Sequence, residues 1–314
     1  MHIKSSLINF FVKGVNRATE ITERAGQNGH NLDIVMSGSL EKLTSSKDLL
    51  FPLEYVEFLR DCLKAKRLKI KYIRTQSCTK SDVFTNRFSS LINALRHLPP
   101  IEFSIAKEIA LIADSYRGNL EPIENDRWAG DVRSHFEISS SFGTKGRILS
   151  TIVRFTQARH CLELGTAYGM SALFILEVLK TRGKDTHLTT LEASEPQFSI
   201  SSKTLQCRYG NQVSCEFGLT QKALPTIVKS LERLDFLFHD AGHSREDYVR
   251  DFHLALPILA PGAVVLIDDI RWEDPRFSRE NPRCYEGWVE VLNHPRVRRA
   301  VEISDSMGLL LLGE

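Results

Sequence analysis

Three features of the sequence predict an α/β fold with a mostly parallel sheet and an antiparallel last strand. From residue 126 onward, short apolar runs alternate with helical patterns. Polar residues collect directly after those runs. The last two runs lie too close together for a crossover helix and must form a hairpin. The 314 residues leave room for about two domains. Hydrophobic residues are 42% and charged residues 25%, near the globular average, which excludes wholesale disorder, collagen-like repeats and a multi-span membrane protein. Lysine plus arginine number 41 against 39 acids, a formal charge of +2, so no global basic field argues for nucleic acid.

Residues 1–125 read as a mainly helical N-terminal region, a candidate substrate lid or dimerisation element, and 126–314 as a second domain. Leu53, Val56, Leu59 and Leu63 mark one helix. Phe88, Leu91, Ile92, Leu95 and Leu98 mark another, stopped by Pro99-Pro100, and Ile105, Ile109 and Ile112 a third. The stretch 23–48 is polar and glycine-containing, which predicts a loop. The basic run 64–71 reads as a solvated helix face, with a phosphate or nucleic-acid patch as the alternative. The cysteines Cys62, Cys78, Cys161, Cys207, Cys215 and Cys284 form no C-x-x-C pair and read as free thiols of a reducing compartment. The apolar run Ser6–Val12 is broken by Asn9 and lacks a cleavage site, and no run approaches the ~20 residues of a membrane span. The expected location is cytoplasmic.

In the second domain the expected strands are His160–Leu164, Leu188–Leu191, Val213–Phe217, Leu234–Phe238, Ala263–Ile267, Arg299–Ile303 and Gly308–Leu312. Helices are expected over Ser171–Leu179, Pro196–Cys207 and Ser244–Leu256, the last opened by the capping pattern Ser244-Arg245-Glu246-Asp247. Open parallel sheets bind ligands beyond the carboxyl ends of their strands. There the sequence places Glu163 and Gly165, Glu192, Asp240 and His243, and Asp268 and Asp269. Gly165 and Gly169 permit a tight turn before a helix N-terminus. The loop is not G-x-G-x-x-G, which disfavours a dinucleotide. A carboxylate in the position of Glu192 suits the hydroxyls of a ribose.

The run Leu234–Ser244, with Asp240-Ala241-Gly242-His243, and the run Val264–Trp272, with Asp268-Asp269, resemble the fourth- and fifth-strand motifs of class I S-adenosylmethionine-dependent methyltransferases. The likeness is to the small-molecule O-methyltransferase branch and covers roughly 135–314. Phe136–Ser139 and Gly143–Ile148 resemble the helix that lids the cofactor there. The resemblance implies a Rossmann-like seven-stranded sheet with a reversed last strand. It implies S-adenosyl-L-methionine as cofactor, held by Glu163, Gly165, Thr166, Gly169, Glu192, Gly218 and Asp240. It places His243 where catechol-type members carry a lysine, as base or orienting group beside Asp240. It matches Asp240, Asp268 and Asp269 to a magnesium-binding set, so Mg²⁺ enters as an expected cation. Two positions depart from the pattern: Ala167 replaces a glycine, and Asp269 replaces an asparagine. The acceptor face falls on the N-terminal segment and on 271–287, with Arg271, Trp272, Arg276, Phe277, Arg279, Arg283 and Tyr285. The favoured reaction is O-methylation of a small-molecule hydroxyl or carboxyl. Methylation of nitrogen, a peptide or RNA, and a non-catalytic nucleotide-binding module, are the alternatives.

Overall fold

The computed structural model describes residues 61–62, 66–75, 83–124, 129–139, 143–272 and 283–314. The expected loop at 23–48, Cys78, Arg276, Phe277 and Arg279 lie outside them, as does the helix of Leu53 to Leu63 except for helical Asp61-Cys62. The chain falls into two units, Met1–Lys64 and Ala65–Glu314. Everything below concerns the second.

Its centre is an eight-stranded sheet built from β1 (Ile70–Thr75), β2 (His160–Leu164), β3 (His187–Glu192), β4 (Val213–Phe217), β5 (Leu234–His239), β6 (Leu259–Ile267), β7 (Val297–Ile303) and β8 (Met307–Leu312). The spatial order is β1-β7-β8-β6-β5-β2-β3-β4. The five strands from β6 to β4 run parallel. Their inner members are almost wholly buried, which is why they read as unbroken apolar runs rather than alternating ones. β8 is antiparallel to both β6 and β7, as the short turn before it requires.

All seven expected strands are present, and β1 adds an eighth. It pairs antiparallel with β7, from Arg299 with Thr75 to Ile303 with Ile70. β1 is an edge strand: Lys71 and Tyr72 are exposed while Ile70 and Ile73 are half-buried. The basic residues around it, and a register shift that breaks the two-residue period, hid this strand. Lys66–Arg67 is likewise not a helix face. It pairs with His97–Leu98, and Leu68 N donates to Arg96 O at 3.2 Å.

The helices are α1 (Val83–Arg96), α2 (Phe103–Arg117), α3 (Val132–Ser139), α4 (Gly143–Thr156), α5 (Met170–Lys180), α6 (Glu195–Tyr209), α7 (Thr220–Ser230), α8 (Arg245–Ala255) and α9 (Cys284–Leu292). In α1, Phe88, Leu91, Ile92 and Leu95 are buried, as their spacing predicts. From Met170 to Leu179 every residue of α5 is buried, so this helix has no polar face. Ser244 caps α8 as expected, its hydroxyl oxygen accepting from Asp247 N at 3.1 Å. Arg147 of α4 is buried and donates to the carbonyls of Leu98 at 2.6 Å and Pro99 at 2.9 Å. A buried guanidinium satisfied by carbonyls bolts α4 to the end of α1.

Gly308 of β8 faces the ring of fully buried Trp288 in α9, where a Cβ would overlap the indole. Gly308→Val is expected to lower stability by ~1–3 kcal/mol through overpacking. Urea denaturation measures this, and an unchanged midpoint would mean that the indole has room to move.

Candidate active site

β2 and β5 are neighbours, with β3 and β4 beyond one and β6 beyond the other. Strand order therefore reverses between them, and their carboxyl ends open the crevice such sheets use for ligands. The two ends touch. Asp240 N donates to Leu164 O at 2.8 Å. Gly165 takes φ 93°, and a Cβ there would run into the Asp240 carbonyl. Only glycine meets both demands.

One flank of the crevice is organised by Glu192. Its Oε2 accepts from Ala167 N at 2.7 Å, and its Oε1 accepts from Ala193 N at 2.9 Å and Ser194 N at 2.7 Å. Its carbonyl accepts from Gly218 N at 2.9 Å. A single residue thus ties the 165–169 turn, the start of α6 and the end of β4 together. Burial pushes the Glu192 carboxyl up, against the pull of the Ser194 and Ala167 amides. Ala167 sits at φ 46° and Gly169 at φ 81°, so the turn is left-handed at both. A carboxylate offers about four lone-pair directions, and the amides of Ala167, Ala193, Ser194 and Thr166 all act on this one. Ser194 Oγ, beside it in the chain, is buried with no partner among the described residues. That orphaned hydroxyl fits a ligand that brings hydroxyl groups, as a nucleoside does.

Beneath this flank Glu163 is fully buried and accepts from Thr190 Oγ1 at 2.5 Å. The Thr166 and Thr190 hydroxyls are hydrogen-bonded to each other. Burial raises the Glu163 carboxyl to about 7, despite hydrogen bonds from Ser171 and Thr190. Gly218 takes φ 140°, between exposed Phe217 and Leu219.

The other flank is an acid cluster. Asp240 follows β5; Asp268 and Asp269 follow β6, with Asp268 almost fully buried. Lys145, from the first turn of α4, reaches into it. Its Nζ lies 3.1 Å from Asp240 Oδ2 and pairs more closely still with Asp268 Oδ2. Burial opposes the ammonium, but Asp240 and then Asp268 outweigh it and its pKa rises. Burial also drives the Asp240 carboxyl well up; Lys145 counters this, while Asp268 and Asp269 add to it. Asp269 reaches about 6, from burial and then from Asp268.

His243 stands over the cluster. Its Nε2 lies 4.0 Å from Asp269 Oδ2, and its ring stacks on Trp272 with centroids 5.4 Å apart. Burial lowers its pKa to about 4, so the imidazole is neutral at pH 7. Tyr248 supports both parts. Its hydroxyl donates to Asp268 O at 2.8 Å and lies 3.4 Å from His243 Nδ1. Behind them Glu302 is buried and accepts from Arg271 at 2.8 Å and Tyr285 at 3.1 Å, on either side of 273–282.

The sequence-predicted residues therefore gather at one sheet edge in two groups. Glu163, Gly165, Thr166, Gly169, Glu192 and Gly218 form the first; Asp240, His243, Asp268 and Asp269 form the second, with Asp240 joining them. In the expected three-carboxylate metal set, Asp240 and Asp268 are paired with Lys145. Among the described residues, the atoms that converge within 4.8 Å as metal ligands belong to Asp240, His243 and Asp269. Sequence reasoning missed Lys145 and Tyr248. Lys145 carries a signal: a lysine in a helix's first turn opposes the helix dipole unless acids elsewhere hold it.

The family described as "Methyltransferase domain" matches residues 162–270, the span from β2 to the end of the acid cluster. The chain is similar to a catechol O-methyltransferase of Niastella koreensis, 29% identical over 164 residues, covering 50% of this chain and 72% of the relative. It is equally similar to a transmembrane O-methyltransferase of Propithecus coquereli, 29% identical over 167 residues, covering 51% of this chain and 58% of the relative. Among solved structures, an O-methyltransferase from Bacillus cereus in complex with SAH shares the fold with TM-score 0.51 at 20% identity, over 73% of this chain and all of that one. No helix among the described residues is long and apolar enough to cross a membrane.

Glu163 yields a pH prediction. Unfolded, its carboxyl ionises near 4.5; folded, near 7. The folded state is penalised increasingly as pH rises between these values, and fully above them. Glu163→Gln removes the penalty and keeps an oxygen for Thr190. The variant's gain in Tm over wild type, by scanning calorimetry, should be larger at pH 8 than at pH 5. Equal differences at both would show that Glu163 ionises freely.

Proposed function

We propose, on the premise that this chain is an S-adenosylmethionine-dependent methyltransferase of the class I O-methyltransferase type, that it methylates the hydroxyl of a small aromatic acceptor lying between His243 and the 165–169 turn. The observation that carries this reading is the bond from Ala167 N to Glu192 Oε2 at 2.7 Å, which ties the 165–169 turn to Glu192 at the same sheet edge as Asp240 and His243. When bound, S-adenosyl-L-methionine supplies an electrophilic methyl group on a sulfonium.

The chain's own residues do the rest. Glu192 and Ser194 hold the ribose hydroxyls. Phe217 and Leu219 flank Gly218 with apolar surface for a flat base. Glu163 lies under the turn near the methionine end. Asp240 stands between cradle and acceptor. His243, uncharged at neutral pH, would take the proton of the acceptor's hydroxyl as that oxygen accepts the methyl group. The proton then passes to solvent. Holding the oxygen in line at near-attack distance can supply ~7–11 kcal/mol. The plane of Trp272 against the His243 ring favours an aromatic acceptor. The likeness to a catechol O-methyltransferase supports the same acceptor class. Two of the three carboxylates expected to hold Mg²⁺, Asp240 and Asp268, are paired with Lys145.

A panel of phenolic, catecholic and carboxylic acceptors incubated with S-adenosylmethionine tests this, with methylated product read by mass spectrometry. With an active acceptor, His243→Ala should reduce kcat by ~100-fold or more and leave the calorimetric affinity for S-adenosylhomocysteine within about twofold. Unchanged kcat would remove His243 from proton transfer.

A further inference from the structure

We infer that the Lys145 ammonium is the resident cation of the Asp240–Asp268–Asp269 cluster, and that a divalent metal gains these carboxylates only by displacing it. The inference rests on the methyltransferase reading of the crevice and concerns which positive charge that crevice uses.

Four observations lead to it. Lys145 Nζ ion-pairs with two acids from two different strands, Asp240 and Asp268. The Asp268 side chain is 2% exposed against 28% for Lys145, so the acid has no hydration to fall back on and needs a counter-charge. Lys145 lies in the first turn of α4, where the helix dipole repels a cation; the acids must overcome that repulsion to draw it in. Finally, the remaining convergent ligand atoms, on Asp240, His243 and Asp269, share Asp240 with the lysine. A divalent ion there would place two cations on one carboxylate. It would also accept a ring nitrogen, a poor ligand for magnesium, which prefers oxygen.

In this arrangement Lys145 performs the charge balancing for which related chemistry uses a metal. As the acceptor oxygen gives its proton to His243, negative charge develops beside Asp240. The ammonium offsets it without leaving the protein. Lys145 acts through Asp240 and is a positioning residue.

The test uses the full chain, with Lys145→Met and Lys145→Arg as variants, and MnCl2 as the probe. Manganese binding is read by electron paramagnetic resonance and calorimetry, and S-adenosylhomocysteine binding is measured in parallel. Wild type and Lys145→Arg should bind Mn²⁺ only in the millimolar range, about 4 kcal/mol or less. Lys145→Met should bind it at least about tenfold more tightly and gain Tm on its addition. Micromolar Mn²⁺ binding by wild type overturns the inference, and this measurement stands even if Lys145→Met does not fold. Equal affinity, or no binding, in wild type and folded Lys145→Met also overturns it. Binding of S-adenosylhomocysteine by wild type keeps the methyltransferase reading intact in either event, whereas its absence would sink that reading instead.

Discussion

Everything at the crevice depends on two strand ends being allowed to touch. Gly165 has no side chain, so the chain leaving β2 can lie against the backbone carbonyl of Asp240 leaving β5. That contact sits where strand order reverses, and it fixes the distance between the turn at 165–169 and the acids beyond β5 and β6. The Glu192 carboxylate then locks the turn from the other side by accepting the Ala167 amide. Backbone, rather than side-chain packing, defines the floor of the site.

On that floor the protein must house five acids with little water, and it does so in three ways. Glu163 has its carboxyl pushed up to about 7 by burial and is bonded to Thr190. Glu192 is surrounded by main-chain amides. Two of the three aspartates, Asp240 and Asp268, share a lysine from α4. Each solution has a different consequence. A carboxyl with a raised pKa carries less charge at neutral pH, an amide-bound acid is held in one orientation, and a lysine-bound pair has its charge offset. The neutral imidazole of His243 is the product of the same dryness, since burial disfavours its charged form.

The sheet was legible because its parallel strands are buried on both faces and so appear as uninterrupted apolar runs, each ending in a polar residue. The hairpin of β7 and β8 followed from chain length alone. Gly165, Glu192 and His243 were legible from their positions at strand ends. β1 was not, because Ile70-Lys71-Tyr72-Ile73 has one covered face and sits in a basic run that imitates a solvated helix. Lys145 was not, because nothing near it in sequence is acidic; its partners are supplied by strands far along the chain. Likewise the resemblance implied a metal set at Asp240, Asp268 and Asp269, and gave no sign that Lys145 of α4 pairs with two of them.

The pairing of β1 with β7 also sets how the polypeptide can be divided. A catalytic fragment cut near residue 125, where the composition changes, would leave β7 at the rim with its outward amides and carbonyls bare. Such a rim invites intermolecular strand addition, and it would also strip the carbonyls that Arg147 requires. The smallest piece of this chain that stays monodisperse in a test tube should therefore begin ahead of Lys66, well upstream of β2.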